Sequence, residues 1–249
     1  MDFYKYYKEL EARQFPIAET SAFTVALGQS DDIASHFEIY CMAMQNLTCL
    51  MQHAIGDQFD KHGMAGAAFL VSKLSEREEI AIHAAYLLST KVKFYIEPLA
   101  CHGDLVCTLL RFTDSQNVEI RRKSIIILGW VGTEEVLPVL KKHLLTDADG
   151  LCRAWSASAF MQLSCRDYIA PDVLKAAARD AITECLHHET DLFVKGVAVE
   201  TVQEIWMVKL GMRSSAVEAR KERSILAATK RALDFLQQYA LGTEVSGDV

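Results

Sequence analysis

The sequence predicts an all-α fold, an α-solenoid of about five stacked helix pairs closed by capping helices. Three observations predict it. The 249 residues include only 4 prolines and 12 glycines, too few breakers for the many short strands of a sandwich or barrel. Half of the residues (51%) are apolar, enough for a chain of this length to bury a substantial core. Finally, a polar turn followed six residues later by arginine, and then by an apolar helix, occurs at 115–129 and again at 147–161.

Taken in order, residues 2–13 and 31–55 predict N-terminal helices, the second rich in methionine (Met42, Met44, Met51). At 75–88 a turn and apolar helix align with the later units, and Ser75 and Glu78 have capping-box spacing. The clearest unit carries Arg121, and its counterpart Arg153 follows 32 residues later. Between them, residues 132–145 read as a second helix with Glu134 and Glu135 in its first turn and Leu137, Leu140 and Leu144 at helical spacing. One repeat is therefore helix, turn, helix. A further unit spans 189–202, starting 42 residues after the one at 147. A lone helix pair cannot cover its apolar face, whereas stacked neighbours can. Residues 217–240 read as one long amphipathic capping helix, with Ile225, Leu226, Ala232, Leu233, Leu236 and Tyr239 expected on one side and Lys221, Glu222, Lys230, Arg231 and Asp234 on the other. The expected organisation is a single domain over 1–241 and a disordered tail over 242–249.

The stretch Val118-Glu-Ile-Arg121-Arg-Lys-Ser-Ile-Ile-Ile-Leu128-Gly129, followed by Leu137-Pro138-Val-Leu140 and the Asp147 turn, resembles the HEAT-repeat family. It is similar to the short bacterial variety found in proteins like the phycobilisome lyases. The resemblance covers about residues 75–205 and implies a protein-binding, armadillo-like helical scaffold. It speaks to fold more than to activity.

Net charge is −7. A protein that neutralises phosphates needs surplus Lys and Arg, so nucleic acid is not the expected partner, while a basic protein or peptide suits the acidic balance. The seven cysteines follow no repeating interval and are odd in number, which suits a reducing, cytoplasmic setting. Charges interrupt residues 1–11, leaving no signal core, and no apolar run is long enough to span a membrane. Neither a membrane nor a cofactor is expected.

In a two-helix solenoid the second helix of each pair faces the concave side. With Ile120, Ser124 and Leu128 pointing into the core, Arg122, Lys123, Ile126 and Trp130 point outward. The equivalent positions are Trp155, Ser158 and Gln162 in the next unit, His83 and Tyr86 in the preceding one, and Val197 and Glu200 in the following one. Aromatic and aliphatic side chains bordered by polar ones mark interaction surfaces. These residues are the expected binding groove of a non-catalytic scaffold. Arg121 and Arg153 are expected to pair structurally with turn carboxylates such as Asp114 or Asp147.

Catalytic and metal patterns are weak. His187 and His188 are adjacent, hence about 100° apart on a helix, and do not converge on one ion. Cys41, Cys49 and His53 lack zinc spacing. No phosphate loop or nucleophile elbow occurs. The alternative reading is a DNA glycosylase for alkylated bases built on HEAT-like repeats, which uses an aromatic residue and a carboxylate. Trp130 and Glu134 resemble that pair, but Glu134 lies beyond the Gly132 turn, and no catalytic residue carries over.

Overall fold

The computed structural model describes residues 2–13, 17–97 and 100–242, whose regular structure is entirely helical. No helix among them is long and apolar enough to cross a membrane. They divide into two compact units, Met1–Thr108 and Leu109–Val249.

The first unit contains α1 (Phe3–Arg13), α2 (Ile17–Gly28), α3 (Ile33–Asn46), α4 (Cys49–Asp57), α5 (Gly63–Lys73) and α6 (Glu78–Thr90). The division between units falls within α7 (His102–Phe112). Asp32 starts α3 by accepting the Ser35 amide at 3.0 Å, the preferred N-cap chemistry. Helix α3 packs on α1, α4 and α5, and α5 packs on α6. Aromatic rings fill the space between them. Phe37 meets Phe59 and Phe69 edge-on, with centroids 6.3 and 5.7 Å apart.

The second unit contains α8 (Val118–Val131), α9 (Leu137–Thr146), α10 (Gly150–Ser164), α11 (Pro171–His188), α12 (Leu192–Trp206), α13 (Ser214–Glu218) and α14 (Glu222–Ala240). Helices α8, α10 and α12 pack side by side in one layer, α9 and α11 in a second. Helix α14 then lies against both α12 and α11 and closes this end of the stack. Small residues set the spacing within the layer. A Cβ on Gly129 of α8 would lie 3.0 Å from the Ala159 Cα of α10 and 2.1 Å from Gln162 Oε1. A Cβ on Gly196 of α12 would lie 2.7 Å from Val217 of α13.

Several elements differ from the expectations. The helix expected over 31–55 is two helices, because Leu47 and Thr48 adopt extended backbone (ψ 165° and 154°). Helix α2 was not expected; its sequence is apolar around much of its circumference, so no periodic stripe announces it. Arg77, not Ser75, occupies the N-cap of α6. The Ser75 hydroxyl donates to the Ser72 carbonyl instead, so the capping box does not form. The long terminal helix is broken into α13 and α14 where Arg220 takes a left-handed conformation (φ 47°). The expected tail lies outside the described residues, except for Gly242.

Candidate interaction surface

The repeat turns of the second unit share one construction. Ser115, Asp147 and Glu189 each accept the backbone amide two residues on, at 3.1, 2.9 and 2.8 Å. Those amides belong to Asn117, Asp149 and Asp191, which cap α8, α10 and α12 through their own side chains. Four residues beyond each cap stands a cation: Arg121, Arg153 and Lys195. Arg121 donates Nη1 to the Ser115 carbonyl at 2.9 Å, and Arg153 does the same to Asp147 at 2.9 Å.

Each arginine then reaches into the next turn. Arg121 donates Nε and Nη2 to the Asp147 carboxylate at 3.3 and 3.1 Å. Arg153 donates the same two groups to Glu189 at 2.6 and 3.3 Å. The arginines occupy equivalent surroundings, and Asp114, the other expected carboxylate, holds Lys142 instead. Burial disfavours charge on Asp147. The Arg121 guanidinium, the Asp149 amide and His143 outweigh it and hold its carboxyl below the usual carboxylate range. Glu189 is held low by the same balance, with Arg153 as the main opposing group. Arg122 adds a second bidentate link, to Asp149 at 2.8 and 2.7 Å. These rungs fix the register of α8, α10 and α12 and so position their outer faces. A cavity of about 230 Å³ opens beside the second rung, between Thr146, Arg153 and His188.

On α8 the expected phase holds. Ile120, Ser124 and Leu128 are buried, while Arg122, Lys123, Ile126 and Trp130 are half-buried. On α10, Trp155 and Gln162 are half-buried but Ser158 is buried; on α12, Glu200 is half-buried but Val197 is buried. The reason is the flanking of each helix in its layer: α10 has α8 on one side and α12 on the other, which narrows its uncovered strip. Arg122 is also committed to Asp149 and Glu119. The outer ridge of this unit therefore comprises Lys123, Ile126, Trp130, Trp155, Gln162 and Glu200.

In the first unit, Tyr86 is half-buried and borders a small cavity of about 30 Å³ with Tyr40 and Gln52. His83 is 8% exposed and meets the Tyr40 ring edge-on at 5.9 Å, so it is a core residue. Glu134 lies beyond Gly132, which is extended (ψ 155°) and ends α8 at Val131, so the aromatic–carboxylate pair of the glycosylase reading does not share a helical face. The ligand types near the end of α11 are engaged or buried: Glu184 holds Lys141, Glu189 holds Arg153, and burial pushes the Cys185 thiol up to about 12.

Sequence reasoning passed over a histidine pair in the first unit. His36 is fully buried; its Nδ1 lies 2.7 Å from His62 Nε2, and its Nε2 lies 3.0 Å from the Ile55 carbonyl. Because a carbonyl only accepts, His36 Nε2–H donates to Ile55 and His36 Nδ1 accepts from His62. His62 also borders a cavity of about 630 Å³ with Val25, Ser30 and Lys61. The two histidines stand 26 residues apart, so no local pattern signals them.

A family model described as HEAT repeats matches residues 67–161. This segment is built of HEAT repeats. No curated protein and no solved structure matches the chain. HEAT repeats generally act as scaffolds for protein interaction. The same turn construction recurs beyond the matched residues, where Glu189 and Asp191 accept backbone amides as Asp147 and Asp149 do.

Proposed function

We propose that this protein is a non-catalytic scaffold that holds a protein or peptide segment against the outer ridge of α8, α10 and α12. One observation carries the reading: Ile126, Trp130 and Trp155 keep part of their apolar surface uncovered on helices whose register the arginine rungs fix. Tryptophan is a favoured interface anchor because a rigid ring contributes large area at small entropic cost. A fixed ridge also lowers the ordering cost of association. The net charge of −7 favours a basic partner. Tyr86, half-buried in the first unit, is a separate candidate anchor.

Site-specific photocrosslinking tests it. Benzoylphenylalanine placed at Ile126 or Trp155 is expected to trap a discrete partner, whereas placement at the exposed Ala176 of α11 traps none. Excess wild-type protein suppresses the adduct. The Trp130→Ala, Trp155→Ala double variant competes about 30-fold less well, the effect of losing a tryptophan anchor. Equal trapping from Ala176, or equal competition by the double variant, overturns the reading.

A further inference from the structure

Charge is distributed unevenly in the second unit. Between Lys209 and Arg231 stand seven Lys and Arg against two Glu, a local charge of +5 in a chain whose total is −7. All seven cations are exposed. Two are engaged: Arg220 with Asp191 at 3.9 Å, and Arg231, whose Nε donates to the Leu210 carbonyl at 2.8 Å. Lys209, Arg213, Lys221, Arg223 and Lys230 form no ion pair among the described residues. Such a concentration of uncompensated like charge is unfavourable to the folded chain alone.

The uncovered side of α14 organises part of this charge. Arg223, Leu226, Ala227 and Lys230 are all exposed and follow the i, i+3, i+4, i+7 spacing of one helical face. The two cations stand two turns apart, about 10 Å along the axis, with an apolar step between them. The opposite face is occupied: Ile225, Ala228, Ala232, Phe235 and Leu236 are buried, whereas Leu226, expected among them, lies about 100° round the helix from Ile225 and is exposed. Arg231 ties Leu210 of the loop that follows α12 to α14. The ridge thus combines cations that form no ion pair with the uncovered Leu226.

We infer that this ridge is a second docking surface, and that it takes an acidic, amphipathic polypeptide segment. Charge complementarity sets the sign of the partner, and the apolar step between the cations fits a partner that alternates acidic and apolar side chains. The remainder of the chain carries −12, which repels an extended polyanion. A short acidic segment meets only the ridge, whereas a duplex or a bilayer spreads beyond it. The ridge also contains no aromatic side chain on which a base stacks. This surface is separate from the α8–α10–α12 ridge and selects the opposite charge, so it stands or falls independently of the reading above.

The test uses the full chain and a fluorescein-labelled peptide of repeated Glu-Glu-Leu-Asp-Leu, followed by fluorescence anisotropy. Binding is expected, and it weakens as salt rises from about 0.05 to about 0.5 M. The Arg223→Glu, Lys230→Glu variant loses about tenfold or more in affinity. The Lys8→Glu, Lys61→Glu variant makes the same change in net charge on exposed residues of the first unit and retains binding. A peptide with serine in place of each leucine binds more weakly. Absence of binding, equal loss in both reversal variants, or equal binding of the leucine and serine peptides overturns the inference. Tighter binding of an oligonucleotide duplex or of phosphatidylserine vesicles than of the peptide overturns it as well.

Discussion

Asp147 ties three partners together in the second unit. Its side chain is 3% exposed and accepts from Arg121, from the Asp149 amide and, at 2.9 Å, from His143. Removing one member of a buried pair leaves the other charge uncompensated, so Asp147→Asn is expected to cost about 3 kcal/mol, measured by urea denaturation. In the first unit, burial drives the His36 imidazole down to about 4 from 6.5, with the Ile55 carbonyl opposing and His62 adding to the shift. His62 is lowered in the same sense, and Asp60 opposes it. The unfolded chain then binds more protons than the folded one between pH 6.5 and pH 4. Stability is full above that window and falls as the solution is acidified through it, by about 2 kcal/mol from pH 7 to pH 5. An unchanged urea midpoint between those pH values would contradict this. Of the seven free thiols, Cys49, Cys107 and Cys165 are exposed and four are buried. A thiol-specific reagent is therefore expected to label three rapidly and four only on unfolding. The sequence made Arg121 and Arg153 legible because their distance from the cap is fixed. Their partners were only half legible, because the carboxylates lie 26 and 36 residues away across connections of different length.

At the scale of elements, helix–helix approach is decided by side-chain size. Gly129→Ala forces a methyl group into the Ala159 backbone and Gln162, and overpacking of this kind costs about 1–3 kcal/mol. Gly103→Ala places its methyl in open space and is expected to be neutral or to stabilise α7 by up to about 1 kcal/mol. Differential scanning calorimetry of the two variants separates steric from propensity effects. Most helices were legible because one face is apolar and the other polar. Helix α2 lacks that contrast, and the break between α3 and α4 lacks both glycine and proline. The outward face was legible on α8, whose positions follow simple phase. It was less so on α10 and α12, where neighbours on both flanks bury Ser158 and Val197. Phase assigns direction to a side chain but does not report the width of the gap between adjacent helices.

For the second unit as a whole, stability depends on closing the stack. Trp206 of α12 meets Phe235 and Tyr239 of α14 edge-on, at 6.1 and 5.6 Å. Truncation after Met212 removes α13 and α14 and uncovers the apolar sides of α11 and α12. The shortened chain is expected to aggregate and to bind a hydrophobic dye, with red-shifted Trp206 emission, as solenoids deprived of their cap do. Charge segregation is likewise a property of the whole: a formal total of −7 conceals +5 over 209–231. The repeat and the cap were readable along the chain. The patch was not, because the net sum hides it and only folding shows which cations lack partners.

The rungs also dictate where the polypeptide tolerates being cut in two. Every break between residues 121 and 149 separates Arg121 from Asp147 or Arg122 from Asp149, and every break between 153 and 189 separates Arg153 from Glu189. Between Arg121 and Glu189, only the short interval 149–153 divides none of these couples. Complementary halves severed there would each keep their arginine–carboxylate rungs, losing across the cut the exposed Lys141–Glu184 pair, the Arg153 bond to the Asp147 carbonyl and the Asp149 cap of α10, which makes that one turn the natural seam for a split reporter built on this protein.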